Sequence, residues 1–214
     1  MRKGLHVDRA GSIKMSIKEA LERYRDTVTP NKKPSTQKAE VGAIRGLIVD
    51  LGNYTLAGLT QERVAKYRDS ETERGMSGNT VRLKLALLSN LFTVAGREWG
   101  IGLSRNPVSQ IAKPRCVSRY RRLSDAELNL ILTECRKHRN PMLAWIVELL
   151  ITTGMRKSEL INLSVSDVDL TRRIASLRDT KNGTARTVPL SIRAAELFRL
   201  ALANQMRTAN TITY

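Results

Sequence analysis

One stretch limits the possible folds of this chain more than any other: Met142-Leu143-Ala144-Trp145-Ile146-Val147-Glu148-Leu149-Leu150-Ile151, followed by Thr152-Thr153-Gly154-Met155-Arg156-Lys157-Ser158-Glu159-Leu160. The run is apolar except at Glu148 and has the length of a helix rather than a strand, so it predicts a buried helix. Gly154 should end that helix, because glycine alone takes left-handed dihedrals without strain. Arg156 then stands two residues past the stop, on backbone fixed at the edge of a core. A guanidinium held that way suits a clamp on a phosphate at fixed distance. The ordinary structural alternative is an i, i+3 ion pair with Glu159, worth about 0.2–0.5 kcal/mol.

Charge narrows the partner. The chain of 214 residues carries 37 Lys and Arg against 20 Asp and Glu, a net charge of +17. The excess is shared, +10 over residues 1–117 and +7 over residues 118–214, so it is not confined to a basic tail. Two basic domains on one polyanion fit this balance, which makes nucleic acid the expected partner. No segment has the ~18 uninterrupted apolar residues of a membrane span, and residues 1–14 lack a signal-peptide core. A cytoplasmic protein with reduced thiols at Cys116 and Cys135 is expected. With two histidines (His6 and His138) and no acidic cluster, neither a metal nor another cofactor is expected.

Read in order, residues 1–14 form a basic arm. Ile17, Ala20, Leu21, Tyr24 and Val28 recur at helical spacing, closed by Thr29-Pro30-Asn31. A second helix should be capped by Ser35 and turn Val41, Ile44, Leu47, Ile48 and Leu51 inward. Thr60 should cap a third, ended by Gly75. Gly78-Asn79-Thr80 should open the longest, with Val81, Leu85, Leu88, Phe92 and Ala95 in one stripe. Four helices on short turns predict a small bundle over residues 15–104. Residues 105–122 contain six basic residues, no acid and two prolines, the composition of a semi-stiff cationic linker. Ser124-Asp125-Ala126-Glu127 is a capping box that opens a second domain over residues 123–214. Strands are expected at Ile174–Leu177 and Thr184–Pro189, flanking the hairpin dipeptide Asn182-Gly183, with a last helix after Ser191. The fold class is therefore mainly α with a small β-hairpin or sheet.

Thr153-Gly154-Met155-Arg156 with Glu159-Leu160 resembles the first arginine motif of the tyrosine recombinases, the phage-integrase family. Asp179-Thr180-Lys181-Asn182-Gly183, running on to Val188-Pro189-Leu190, is similar to the same family's lysine-bearing hairpin. Ser77-Gly78-Asn79-Thr80-Val81-Arg82 and Ala95-Gly96-Arg97-Glu98-Trp99-Gly100 look like its core-binding domain. The resemblance implies that Arg156 grips the scissile phosphate, Lys181 acts as general acid and Glu159 is structural. It also implies DNA contacts at Lys38, Arg45, Thr80, Arg82 and Lys84, and at Arg119, Arg121 and Arg122 of a linker that lets two domains close on the duplex. A solvated basic face and an ordinary turn lysine are the plainer alternatives.

Such chemistry needs no metal. A tyrosine attacks the phosphate and conserves its energy as a phosphotyrosine. Fixed arginines stabilise the charge on phosphorus, and a lysine protonates the departing 5′-oxygen. The family pattern next calls for a His-x-x-Arg, a His or Trp, and a tyrosine on a late helix. No histidine follows His138, and Tyr214 stands only 33 positions past Lys181, so it is not read as the nucleophile. His6-Val7-Asp8-Arg9 mimics the missing motif at the wrong end of the chain. The expectation is a truncated recombinase that binds duplex DNA as a monomer and does not cleave alone, from a tetrameric parent. The alternatives are a non-catalytic DNA-binding remnant and a basic structural or RNA-associated protein.

Overall fold

In the computed structural model, which describes residues 14–116, 120–140, 142–178 and 184–203, most helices start where the sequence supplies a cap. The chain divides into two units, Met1–Arg119 and Tyr120–Tyr214. The first holds helices α1 (Ile17–Thr27), α2 (Pro34–Leu51), α3 (Gln61–Glu73) and α4 (Gly78–Arg97). Ser16 and Glu19 form a full capping box on α1, and the side chains of Thr60 and Ser77 accept from the third backbone N–H of α3 and α4. Each such cap contributes about 1 kcal/mol. Ser35 does not cap α2. The helix begins one residue earlier, at Pro34, whose fixed φ and missing N–H suit a first helical position.

The predicted stripes face inward except at Val41, which is only partly buried and stands outside the core cluster. Ile17, Ala20, Leu21 and Tyr24 of α1 meet Ile44, Leu47 and Leu51 of α2 and Val81, Leu85, Leu88, Leu91, Phe92 and Ala95 of α4 in one core. A fully buried leucine contributes roughly 1.5–3 kcal/mol, so α4 is the chief source of cohesion. The proposed linker is shorter than its composition suggested. Val108 is buried in this core, Ile111 packs on it, and Asn106 Nδ2 donates to Ser89 O at 2.9 Å. Residues 105–111 thus belong to the folded unit, because an apolar Val and Ile within the cationic run have a core to enter.

The second unit holds α5 (Asp125–Arg136), α6 (Met142–Thr153), the one-turn α7 (Lys157–Ile161), a three-stranded antiparallel sheet and α8 (Ile192–Ala203). Strands β1 (Val168–Asp169), β2 (Ile174–Leu177) and β3 (Arg186–Pro189) lie in that order, with Ala175 opposite Val188 and Leu177 opposite Arg186. The ladder starts at Arg186 rather than Thr184; Asn182-Gly183 lies outside the described residues. Leu149, Met155, Leu160, Leu177, Val188, Leu197 and Phe198 share the second core. The apolar run of α6 is less buried than its composition suggests: Met142, Ala144 and Leu149 are buried, Trp145, Ile146 and Leu150 pack partly buried on the core, and Ile151 is exposed. Glu148, its one charged residue, pairs with Arg193 of α8 at 2.7 Å. No described helix is long and apolar enough to cross a membrane.

Candidate phosphate and nucleic-acid site

Arg156 is held from both sides in sequence. Gly154, at φ +64°, reverses the chain after α6, and its N–H donates to Leu150 O at 3.0 Å. Met155 is buried in the second core, so the turn is bolted down between the glycine and the arginine. Glu159 and Leu160 are buried on the other side. Arg156 caps α7, its carbonyl accepting from the N–H of Glu159 at 2.9 Å and of Leu160 at 3.1 Å. The Glu159 carboxylate answers by accepting from Arg156 N at 2.9 Å and from Arg156 Nη1 at 2.8 Å.

The i, i+3 ion pair expected as the plain alternative is therefore present, and it fixes the arginine without hiding it. The Glu159 side chain is 3% exposed, whereas Arg156 remains 51% exposed. Arg186, from β3, gives the same carboxylate a third charge-assisted bond, Nη2 to Oε2 at 2.8 Å. The backbone N–H of Arg156 contributes most to holding the Glu159 carboxyl below its ordinary range, and the two guanidiniums add to it against the opposing effect of burial. The site is thus an ionised buried carboxylate with two guanidiniums emerging from it.

Arg186 was missed as a site residue, although a signal existed. Val188 is buried, and side chains of a strand alternate, so Arg186 shares its inward side. An arginine at an inward position needs a buried acid. Nothing in the sequence names that acid, since Glu159 lies 27 residues away. Lys181, the expected general acid, lies outside the described residues, as do Arg119, His6 and Tyr214.

The first unit's expected DNA contacts separate into two kinds. Lys38 and Arg45 are exposed on α2 and make no ion pair among the described residues. Arg82 is exposed on α4, its Nη1 3.5 Å from Cys116 Sγ. Thr80 is half-buried and bonded through its hydroxyl to Ser77 at 2.9 Å. Lys84 differs: its side chain is 14% exposed, and its ammonium is paired with the buried Glu71. Other cations are also used internally. Arg23 stacks on Trp99 and Arg63 on Tyr54, each at 4.4 Å, and Arg74 pairs with Asp50 at 2.9 Å. In the second unit Arg121 pairs with Glu127, though it stays largely exposed, and Arg122 is exposed. Among the described residues no group of three or more His, Cys, Asp or Glu is placed to hold a metal ion.

The chain matches the phage integrase family over residues 121–214. It is 38% identical over 200 residues to the shufflon-specific DNA recombinase of Escherichia coli, covering 89% of this chain and 51% of that protein. It is 36% identical over 97 residues to tyrosine recombinase XerC 2 of Ralstonia nicotianae, 42% of this chain and 27% of that protein. The chain spans about half the length of the curated relatives it matches. Among solved structures, the Tn1549 transposon integrase in complex with transposon right-end DNA superposes with a TM-score of 0.75 at 19% identity, over 92% of this chain and 70% of that one. A lambda integrase dimer bound to a COC′ core site superposes at 0.74 with 21% identity, over the same shares. At these identities the two structures establish the fold.

Proposed function

We propose that the chain, similar to the phage integrase family of tyrosine recombinases, is one of its members, binds duplex DNA and carries, in Arg156, the first phosphate clamp of site-specific recombination. The observation that carries this reading is the mount under Arg156. A family-type arginine is half-exposed, while the acid that fixes it is buried. Stabilising charge on a phosphorus centre requires cations that need not reorganise during the reaction. Fixing Arg156 through Glu159 and the Gly154 turn meets that requirement.

On this reading Lys38, Arg45 and Arg82 attract and hold the DNA backbone, with Arg121 and Arg122 adding to the second unit's charge. Lys84 serves the interior of the first unit. Lys181 is the general acid for the departing 5′-oxygen, delivered from the segment between β2 and β3. Arg156 and Lys181 are the residues of this chain to which the reading gives roles in the reaction itself. The exposed cations Lys38, Arg45 and Arg82 also fit a second reading, a DNA-binding protein that occupies a site without cutting it.

Fluorescence anisotropy with duplex DNA and with RNA at matched salt tests the class. Duplex preference and a steep loss of affinity with salt are expected; preference for RNA would overturn the reading. The two readings separate on a nicked suicide duplex, with the C-terminal part of the Escherichia coli shufflon recombinase supplied in trans. A covalent protein–DNA adduct that Arg156→Ala abolishes supports the recombinase, provided duplex affinity stays nearly unchanged. Binding without any adduct supports the second reading.

A further inference from the structure

Arg186 takes no part in the chemistry above, yet it shares a carboxylate with Arg156. Glu159 Oε1 accepts from Arg156 and Oε2 from Arg186, each at 2.8 Å, so the two guanidiniums are necessarily neighbours. Arg156 is 51% exposed and Arg186 45%, over an acid that is 3% exposed. Their inner donors are fixed and their outer donors face solvent, since a guanidinium carries five N–H groups in a planar fork.

A purely structural account leaves one cation too many. Glu159 already has the backbone N–H and the guanidinium of Arg156, enough to satisfy and neutralise it. Arg186 gives the cluster a net charge of one positive unit and sets two like charges side by side, which costs energy until an anion joins them. Arg186 also occupies an inward strand position opposite the buried Leu177, where an uncharged side chain would pack without this cost. The arrangement therefore has positive charge to spare for an anion arriving from solvent.

We propose that Arg156 and Arg186 form one oxyanion site, with Glu159 as their common buried mount, and that the anion it takes is a phosphate of the DNA backbone. A tetrahedral phosphate presents several acceptor oxygens to two planar forks, which a lone carboxylate ligand does less well. Arg186 is then a second phosphate-binding residue and also the one that keeps Glu159 aimed at Arg156. This inference rests on the reading of Arg156 as a phosphate clamp.

The test uses the whole chain and inorganic phosphate, with no DNA present. Arginine Nε–Hε resonances, assigned by Arg156→Gln and Arg186→Gln, are followed by NMR through a phosphate titration. The Arg156 and Arg186 signals should move together with one apparent Kd, and either Gln variant should weaken binding at the remaining arginine about tenfold or more. Arg186→Lys should restore part of the loss, because it returns the charge without the fork. Movement of Arg156 alone, or of neither signal, overturns the proposal and leaves Arg186 as an internal ion-pair partner. Should Arg186→Gln fail to fold, the joint response of the wild-type signals and the Arg186→Lys titration still decide. Phosphate binding at the pair without duplex binding would remove the DNA reading and spare the pair. Duplex binding with an inert pair would do the reverse.

Discussion

Among the described residues each unit buries one glutamate in contact with two cations, and the two glutamates serve different ends. In the first unit Glu71 holds Lys84, which is itself nearly buried, and Arg74, which also reaches Asp50. That carboxylate ties α3 to α4 and to α2, and its charge is spent inside the unit. In the second unit Glu159 holds Arg156 and Arg186, both of which reach solvent. Here the buried acid works as a mount for outward-facing charge. Among the described residues the exposed cations Lys38 and Arg45 have no such mount. A surface that only attracts a polyanion tolerates mobile charges, whereas a site that must meet one phosphate does not.

Removing each acid separates the two cases. Glu71→Ala leaves Lys84 buried without a counter-charge, and stripping one partner from a buried pair costs about 3–5 kcal/mol. Urea denaturation should show that loss in the first unit's transition. The folded fraction should bind duplex DNA much as wild type does, since neither Glu71 nor Lys84 faces outward. A cost under about 1 kcal/mol would mean the pair is solvated, and the contrast would fail.

Glu159→Gln should cost less, about 2 kcal/mol, because its guanidinium partners can turn to water. It should also change the pH dependence. The folded state holds the Glu159 carboxyl below the ordinary glutamate value near 4.5, first through the backbone N–H of Arg156 and then through the side chains of Arg156 and Arg186. A depressed carboxyl contributes stability above its unfolded pKa and loses it as pH falls through the folded value. Melting temperature of wild type should therefore fall on acidification below about pH 4.5, and the Gln variant should lose part of that dependence. Identical acid slopes in the two proteins would show that Glu159 carries no such linkage.

The contrast also explains what the sequence made legible. Helix periodicity, caps at Thr60 and Ser124, and the Gly154 stop are local, so the elements and Arg156's position could be read directly. Ser35 was misread because a cap-type serine sits beside a proline that starts the helix better. Residues 105–111 were misread because charge masked two apolar residues that had a core to join. Pairings across long separations left no local trace: Glu71 with Lys84, and Glu159 with Arg186. Those pairings decide which cations are available to a ligand.

Gly78 gives a smaller effect that bears on the first unit's surface. A Cβ there would stand 2.2 Å from the carbonyl oxygen of Arg115, so the chain at residues 114–116 lies against the start of α4 only because position 78 has no side chain. Gly78→Ala gains helix propensity of about 1 kcal/mol but must push that segment away, at roughly 1–3 kcal/mol. The expected net loss is about 1 kcal/mol by denaturation. Cys116, which is already exposed, should react more slowly with a thiol reagent once the Arg82 guanidinium no longer assists its thiolate. An unchanged rate with unchanged stability would mean that the segment does not rest on α4.

The smallest structural effect should come from the exposed cations, and it is the most direct test of the distinction. Lys38→Gln and Arg45→Gln remove side chains that are exposed and make no ion pair among the described residues, so stability should stay within about 0.5 kcal/mol of wild type. If each neutralises one phosphate, the slope of log affinity against log salt should fall by about 0.9 per substitution, and the two losses should add. Lys84→Gln should show the opposite pattern, a large loss of stability with the salt slope unchanged, because its ammonium faces Glu71 rather than the duplex. A salt slope that Lys84 lowers and Lys38 does not would reverse the assignment. It would place the DNA on the α4 side of Glu71 and require the Glu71–Lys84 pair to open on binding.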